Sequence, residues 1–243
     1  MAEMARKAIT SRALGHVREW VFDLDNTLYP AACNLFLEID RRMGEFISAM
    51  LEIPYEEARY LQKHYYRQFG TTLRGLMTVH AIDPKPFLDY VHDIDLARVE
   101  ACPGLDEALA RLPGRKIIFT NGTRRHAERV AGKLGILDRF EAIFDIADSA
   151  FIPKPGPKPY AMMLEAHGLN PCAAAMFEDM PQNLKEPHAL GMATVLVTSP
   201  AFDHPVQREI EGWRNPPHYV HHVTENLTEF LADLTGKMAT PAG

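Results

Sequence analysis

Four short apolar runs recur along this chain, and each stops abruptly at a cluster of polar residues. Trp20-Val21-Phe22 runs into Asp23-Leu24-Asp25-Asn26-Thr27, and Lys116 to Phe119 runs into Thr120-Asn121-Gly122. Ala142 to Ile146 leads through Asp148 to Lys154, and Ala174 to Phe177 runs into Glu178-Asp179. Helical patterns separate the runs, over about 105–111, 123–134, 157–167 and 182–189, with a last strand at Thr194 to Val197. Strands alternating with helices of this length are βα units, which build a parallel sheet covered on both faces. Parallel strands all point one way, so the polar clusters gather on one rim, where doubly wound sheets bind their ligands.

The texture changes between residues 31 and 98. Leu35, Ile39, Met43, Phe46, Ile47 and Met50 recur at spacings of three and four, as on an amphipathic helix. A second helical segment follows Pro54, carries Ala58, Leu61, Tyr65 and Tyr66, and ends near Gly70; a third covers Pro86 to His92. No strand-like run interrupts them. The expected organisation is an α/β core from 16–30 and 99–243, with an all-helical insert from 31–98. Residues 1 to about 16 read as a loose tail or a poorly formed helix. After 198, Asn215-Pro216-Pro217 marks a loop, Tyr219 to Val223 a strand, and Glu225 to Leu234 a final helix.

Composition excludes several classes. With 26 Lys+Arg against 32 Asp+Glu the formal charge is −6, opposite to the basic face that binds nucleic acid. The longest apolar runs, such as Met192 to Val197, fall far short of the ~20 residues that cross a bilayer, so no membrane partner is expected. The polar start MAEMARKAITSRALGH lacks the apolar centre of a secretory signal, which points to the cytoplasm. Cys33, Cys102 and Cys172 form no CxxC pair, so neither a zinc knuckle nor a redox dithiol is read from them. Among eleven histidines, the adjacent His221 and His222 would face opposite ways on a strand, and no histidine site is expected.

The strand ends carry a specific chemistry. Asp23, Asp25 and Asp179 would crowd one pocket against a single lysine, and like charges so close need a cation among them. Few protein oxygens plus water suit Mg2+. The Thr120 hydroxyl, the Asn121 and Gly122 amides ahead of a helix, and Lys154, held between prolines, are groups that bind phosphate. With phosphoryl oxygens neutralised, Asp23 can attack phosphorus to form an aspartyl phosphate. Asp25 can give a proton to the leaving alkoxide and later take one from water. Each motif alone has a plainer reading, as a turn, a cap or an exposed loop; the four together at successive strand ends do not.

DLDNTLY at 23–29, TNG at 120–122, KPGPKPY at 154–160 and EDMPQN at 178–183, in this order, resemble the four motifs of the haloacid dehalogenase-like hydrolase superfamily. The resemblance spans about 16–200. It implies a Rossmann-like core with a helical cap between the first and second motifs, where the 31–98 insert lies. It implies Asp23 as nucleophile and metal ligand, Asp25 as acid/base and metal ligand through its carbonyl, and Thr120 and Lys154 as phosphate holders. Asp179 would be a metal ligand, with Glu178 and Asn183 standing behind it. Dehalogenases of the superfamily lack an aspartate two residues after the nucleophile, so Asp25 implies phosphoryl transfer.

Tyr65-Tyr66-Arg67-Gln68-Phe69-Gly70-Thr71-Thr72-Leu73-Arg74-Gly75-Leu76, with the DNTLY ending, is similar to the pyrimidine 5′-nucleotidase branch. An aromatic ring there can stack on a base, Thr71 and Thr72 can pair with its edge, and Arg74 can reach ribose or phosphate. Tyr65 and Leu73 also fit simple helix packing. The expected substrate is a small phosphate monoester, a nucleoside monophosphate such as UMP or CMP. A sugar-phosphate phosphatase or phosphomutase is the alternative within the superfamily, with a phosphoacceptor signalling domain and a non-catalytic binding domain as rivals outside it.

Overall fold

The computed structural model describes residues 14–199 and 217–239; the expected N-terminal tail up to 13 and the first part of the loop at 215–217 lie outside them. Six parallel strands form one sheet: β1 (Glu19–Phe22), β2 (Arg115–Phe119), β3 (Ala142–Phe144), β4 (Ala174–Glu178), β5 (Ala193–Val197) and β6 (His222–Thr224). Their order is β3-β2-β1-β4-β5-β6. The chain winds from β1 out to β3, then crosses back to lay β4 on the other side of β1. The reversal opens a crevice at the carboxyl ends of β1 and β4, the switch point at which such sheets bind ligands.

The central strands β1, β2, β4 and β5 are buried on both faces, because past their first residues they are almost wholly apolar. Successive side chains alternate: Trp20 and Phe22 pack on one face with Ile118, Ala175 and Phe177, and Val21 packs on the other with Ile117, Phe119 and Met176. Phe22 stacks on Phe177 at 4.5 Å between centroids. Strand register sets the rim. Phe22 pairs with Ile118 on one side and Phe177 on the other, so the next residues, Asp23, Phe119 and Glu178, stand level.

Four helices fill the 31–98 insert that follows β1: α1 (Leu35–Leu51), α2 (Tyr55–Phe69), α3 (Thr72–His80) and α4 (Pro84–Val91). No strand occurs among them. α3 is a helix the sequence reading left out, and α4 starts two residues earlier than expected. α2 and α3 approach closely at Gly75, where a Cβ would stand 2.3 Å from Tyr65 Cβ. The core helices are α5 (Pro103–Arg111), α6 (Arg124–Leu134), α7 (Pro157–His167), α8 (Lys185–Ala189) and α9 (Leu227–Ala239). Proline opens α4, α5 and α7, where a missing N–H costs nothing. The helix expected over 182–189 is a 3-10 turn, Pro181–Leu184, followed by α8. The third strand stops at Phe144, two residues early, because Asp145 turns the chain by accepting from the Ala147, Asp148 and Arg124 amides. β6 covers only the end of the expected 219–223 strand and runs one residue past it.

Candidate active site

β1 ends at Phe22, but the Asp23 N–H still donates to Phe177 O (2.9 Å), which ties the aspartate to the sheet. The chain then turns through Asn26, in the left-handed region at φ 59°, which asparagine tolerates. The turn puts Asp25 on the rim beside Asp23. Asp23, Glu178 and Asp179 each offer a carboxylate oxygen within 4.8 Å of the others, and all three are buried. The Asn26 amide donates to Asp179 Oδ2 at 3.5 Å.

Lys154 is the cation among these acids. Its buried Nζ donates to Asp23 Oδ1 (2.7 Å), Glu178 Oε1 (2.7 Å) and Phe119 O (2.8 Å). Those three bonds use all its donors on the protein, so here it anchors the acids. Asn121 fixes the loop that presents it, through Lys154 N–H to Asn121 Oδ1 (2.9 Å) and Asn121 Nδ2 to Lys154 O (3.2 Å). Asn121, expected to offer its backbone amide to phosphate, thus uses its side chain to buttress the lysine. Glu178 is held in turn by Asn183 Nδ2 (2.7 Å) and the Met180 amide (2.9 Å). Thr120 is buried; its Oγ1 accepts from Gly122 N–H (2.9 Å) and donates to no described residue.

The electrostatics follow from burial. Loss of water pushes Asp23 up to about 8, against the pull of Lys154 and with Glu178 and Asp25 adding to the push. Burial, then Glu178 and Asp23, hold Asp179 well above the carboxylate range. One lysine does not balance these charges, and a second, divalent cation would relieve what remains. The donor set fits Mg2+: buried carboxylate oxygens converging at one rim. Asp23 and Asp179 would hold it, with Asp25 contributing its backbone carbonyl.

Asp25 behaves differently. Burial raises it, but His126, then Tyr29, outweigh burial and hold its carboxyl below the usual range. The His126 Nε2–H donates to Asp25 Oδ1 at 2.9 Å, and the Tyr29 hydroxyl donates to the same oxygen at 2.8 Å. A histidine therefore enters the site, contrary to expectation. Its position carried the signal: Thr123 caps α6 by accepting from His126 N–H, so His126 is the third helical residue. Side chains there lean back toward the helix start and the rim.

The helical insert reaches the rim through Tyr66 and Gly70, among others. The Tyr66 hydroxyl accepts from Gln182 Nε2 at 3.2 Å; burial, then Asp179 and Glu178, push this phenol up to about 12. Gly70 lies against Pro153 and Pro155, on either side of Lys154. The threonines expected to read a base serve the insert itself. Thr71 Oγ1 caps α3 by accepting from Arg74 N–H (3.2 Å), and the buried Thr72 hydroxyl donates to Gln62 O (3.4 Å). Tyr65 is buried, with its hydroxyl on His80 Nε2 at 2.7 Å, and Leu73 is buried too; both pack. Arg74 is half-buried, and its guanidinium makes no hydrogen bond or ion pair with a described residue.

A sequence profile of the haloacid dehalogenase-like hydrolase family matches residues 20–191, from β1 to the turn before β5. Phosphate metabolism protein 8 from Saccharomyces cerevisiae is 30% identical over 197 residues, 72% of this chain and 60% of that protein. The chain thus spans less than two thirds of that relative's length. The HAD phosphatase from Thermococcus onnurineus superposes with a TM-score of 0.58 at 17% identity, over 90% of this chain and 98% of that one. The HAD-hydrolase YfnB from Bacillus subtilis, solved bound to magnesium, superposes at 0.56 with 14% identity, over 90% and 98%. At these identities the two structures share the fold.

Proposed function

The chain belongs to the haloacid dehalogenase-like hydrolase family, and from that premise we propose that it is a phosphomonoester hydrolase acting through an aspartyl phosphate on Asp23. The observation that carries the proposal is Asp25, two residues after the nucleophile, at the rim that also holds Lys154, Glu178 and Asp179. A halide leaves without a proton, whereas an alkoxide needs one.

The free Asp23 oxygen attacks phosphorus while the ester P–O bond breaks, and Asp25, which takes up a proton from solvent as the charged ester binds beside it, passes that proton to the departing oxygen. Asp25 then takes a proton from the water that attacks the aspartyl phosphate, releasing phosphate and restoring Asp23. Lys154 fixes Asp23 by Oδ1, which leaves Oδ2 for the attack. The Thr120 hydroxyl has a proton to give a phosphoryl oxygen, and the Gly122 amide stands beside it. Bound Mg2+ would neutralise phosphoryl oxygens as a Lewis acid, held by Asp23, Asp179 and the Asp25 carbonyl.

Residues 31–98 are the cap, and the 16–30 and 99–243 segments the hydrolase core. Within the phosphatase class, the cap string and DNTLY favour a pyrimidine 5′-nucleotidase that converts UMP or CMP to nucleoside and phosphate. With Thr71 and Thr72 engaged in α3, this finer reading rests on Arg74, free to reach ribose or phosphate, and on Tyr66 at the mouth of the acid cluster. Three unpaired cysteines suit a reducing compartment, and the expected location is the cytoplasm. Among the described residues no helix is long and apolar enough to cross a membrane. Phosphate release with Mg2+ from a panel holding UMP, CMP and sugar phosphates tests the proposal. Release from the sugar phosphates alone would end the nucleotidase reading, and release from none would end the phosphatase one.

A further inference from the structure

Both hydrogen bonds to the Asp25 side chain fall on one oxygen. Oδ1 accepts from the Tyr29 hydroxyl at 2.8 Å and from His126 Nε2–H at 2.9 Å, and no described residue donates to Oδ2. A carboxylate oxygen offers about two acceptor directions in its plane, so Oδ1 is filled. A proton carried by this group has to sit on Oδ2. Two donors from different elements also fix the rotation of the carboxyl plane, which a single bond would leave free.

The two donors are themselves held. Tyr29 is buried at 1% exposure, on the chain that leaves β1 for the cap. The His126 side chain is fully buried, and its Nδ1 has no hydrogen-bond partner among the described residues, so the ring is seated by shape. It stacks on His92, with centroids 4.6 Å apart and planes 17° apart. His92 lies on the chain that returns from the cap. The Thr123 hydroxyl, already accepting from His126 N–H, shares a hydrogen bond with His92 Nδ1 at 3.3 Å. Arg129 on α6 grips the same segment through His92 O (2.9 Å) and Ile94 O (2.8 Å). Each chain crossing between cap and core therefore supports one donor on Asp25.

We infer that Tyr29 and His126 are positioning residues that clamp Asp25 through Oδ1 and so present Oδ2 to the leaving oxygen, with His92 as the backing of the His126 ring. The inference rests on the phosphatase reading above. Neither residue touches the substrate; both act through where Asp25 puts its proton. Loss of the clamp hurts esters whose leaving group needs that proton and largely spares those whose leaving group does not. A loss of structure would hurt both alike.

The test compares kcat/KM, which reports steps through formation of the aspartyl phosphate, for p-nitrophenyl phosphate and for the best alkyl monoester of the substrate panel, both with Mg2+. For His126→Leu and for Tyr29→Phe, the alkyl ester should lose at least about tenfold more than the nitrophenyl ester, within the range that general acid catalysis supplies. His126→Gln, which keeps a side-chain N–H, should recover most of that difference. Equal losses on the two esters in both variants, with active wild-type protein, would overturn the inference alone. A selective loss in Tyr29→Phe but not in a folded His126→Leu would remove His126 from it. Should His126→Leu fail to fold, Tyr29→Phe and His126→Gln still read the ratio. Wild-type protein inert toward both esters would take down the phosphatase reading and this inference with it.

Discussion

The acid cluster predicts how stability depends on pH when no metal is present. Asp23 is pushed from 3.8 to about 8 in the folded protein, first by burial, while in the unfolded chain it titrates near its ordinary value. Between those two values the folded state binds a proton that the unfolded state has lost, so stability falls as pH rises. It is fully present below about pH 4 and is lost by about pH 8. One group changes stability by at most about 1.4 kcal/mol per pH unit. From about pH 5.5 to 7.5 this is a ceiling of about 2.7 kcal/mol, or roughly 5–11 °C in melting temperature for a chain of this size. Buried His92 and His222, lowered to about 3 and about 4 by loss of water, contribute the opposite slope up to their unfolded values near 6.5. The clean quantity is therefore the difference between wild type and Asp23→Asn, measured by urea unfolding in EDTA at several pH values. The variant should be the more stable at pH 7.5, and its advantage should shrink toward pH 5.5. Adding Mg2+ should raise wild type more than the variant at pH 7.5, because the cation replaces the proton and binds only the folded site. A wild-type minus variant difference that stays flat with pH would refute the reasoning about crowded, buried charge.

Asp23→Asn should also lower kcat on the order of a thousandfold or more, as loss of a nucleophile does, read as phosphate release; near wild-type turnover would remove Asp23 from its role. Chelation with EDTA should stop turnover and added Mg2+ restore it, and activity that survives exhaustive chelation would contradict the metal fit. Thr71→Ala should cost about 1 kcal/mol of stability by uncapping α3 and leave KM in place, whereas Arg74→Ala should raise KM for UMP with little change in kcat. The reverse pattern in steady-state kinetics and denaturant melts would restore Thr71 to the substrate. Gly75→Ala, whose new Cβ would meet Tyr65 at 2.3 Å, should destabilise the cap by about 1–3 kcal/mol through overpacking, seen as a lower denaturation midpoint.

The rim was legible in the sequence because a parallel sheet turns strand ends into neighbours whatever their distance along the chain. Asp23 and Glu178 lie 155 positions apart, yet each stands at the end of an apolar run that reads as a buried strand, and Lys154 lies on the loop that leaves another. The strand order was not legible, since nothing local says that β4 crosses back beside β1. Helix α3 is not legible because its sequence, TLRGLMTVH, carries Gly75 and β-branched residues with poor intrinsic helix preference. Packing against Tyr65 makes the helix, and packing is not local. For the same reason Thr71 and Thr72 read as free polar groups when they are a cap and a buried bond. Single hydroxyls near a glycine look alike in sequence whether they serve a ligand or a helix end. Tyr29 stood inside the first motif without an assigned task. His126 carries no signal beyond those of the other histidines except its place, since the third residue of a helix that follows a strand-end motif leans back over that rim.

The central claim is that Asp23 carries the phosphoryl group during turnover. It is tested most directly by acid-quenching the Mg2+-loaded enzyme during hydrolysis of a monoester with a radioactive phosphoryl group, then mapping the labelled peptide. The account predicts a label that hydroxylamine and alkali remove, confined to the peptide containing Asp23 and absent from Asp23→Asn. Steady hydrolysis by wild type with stable label on another residue would contradict it.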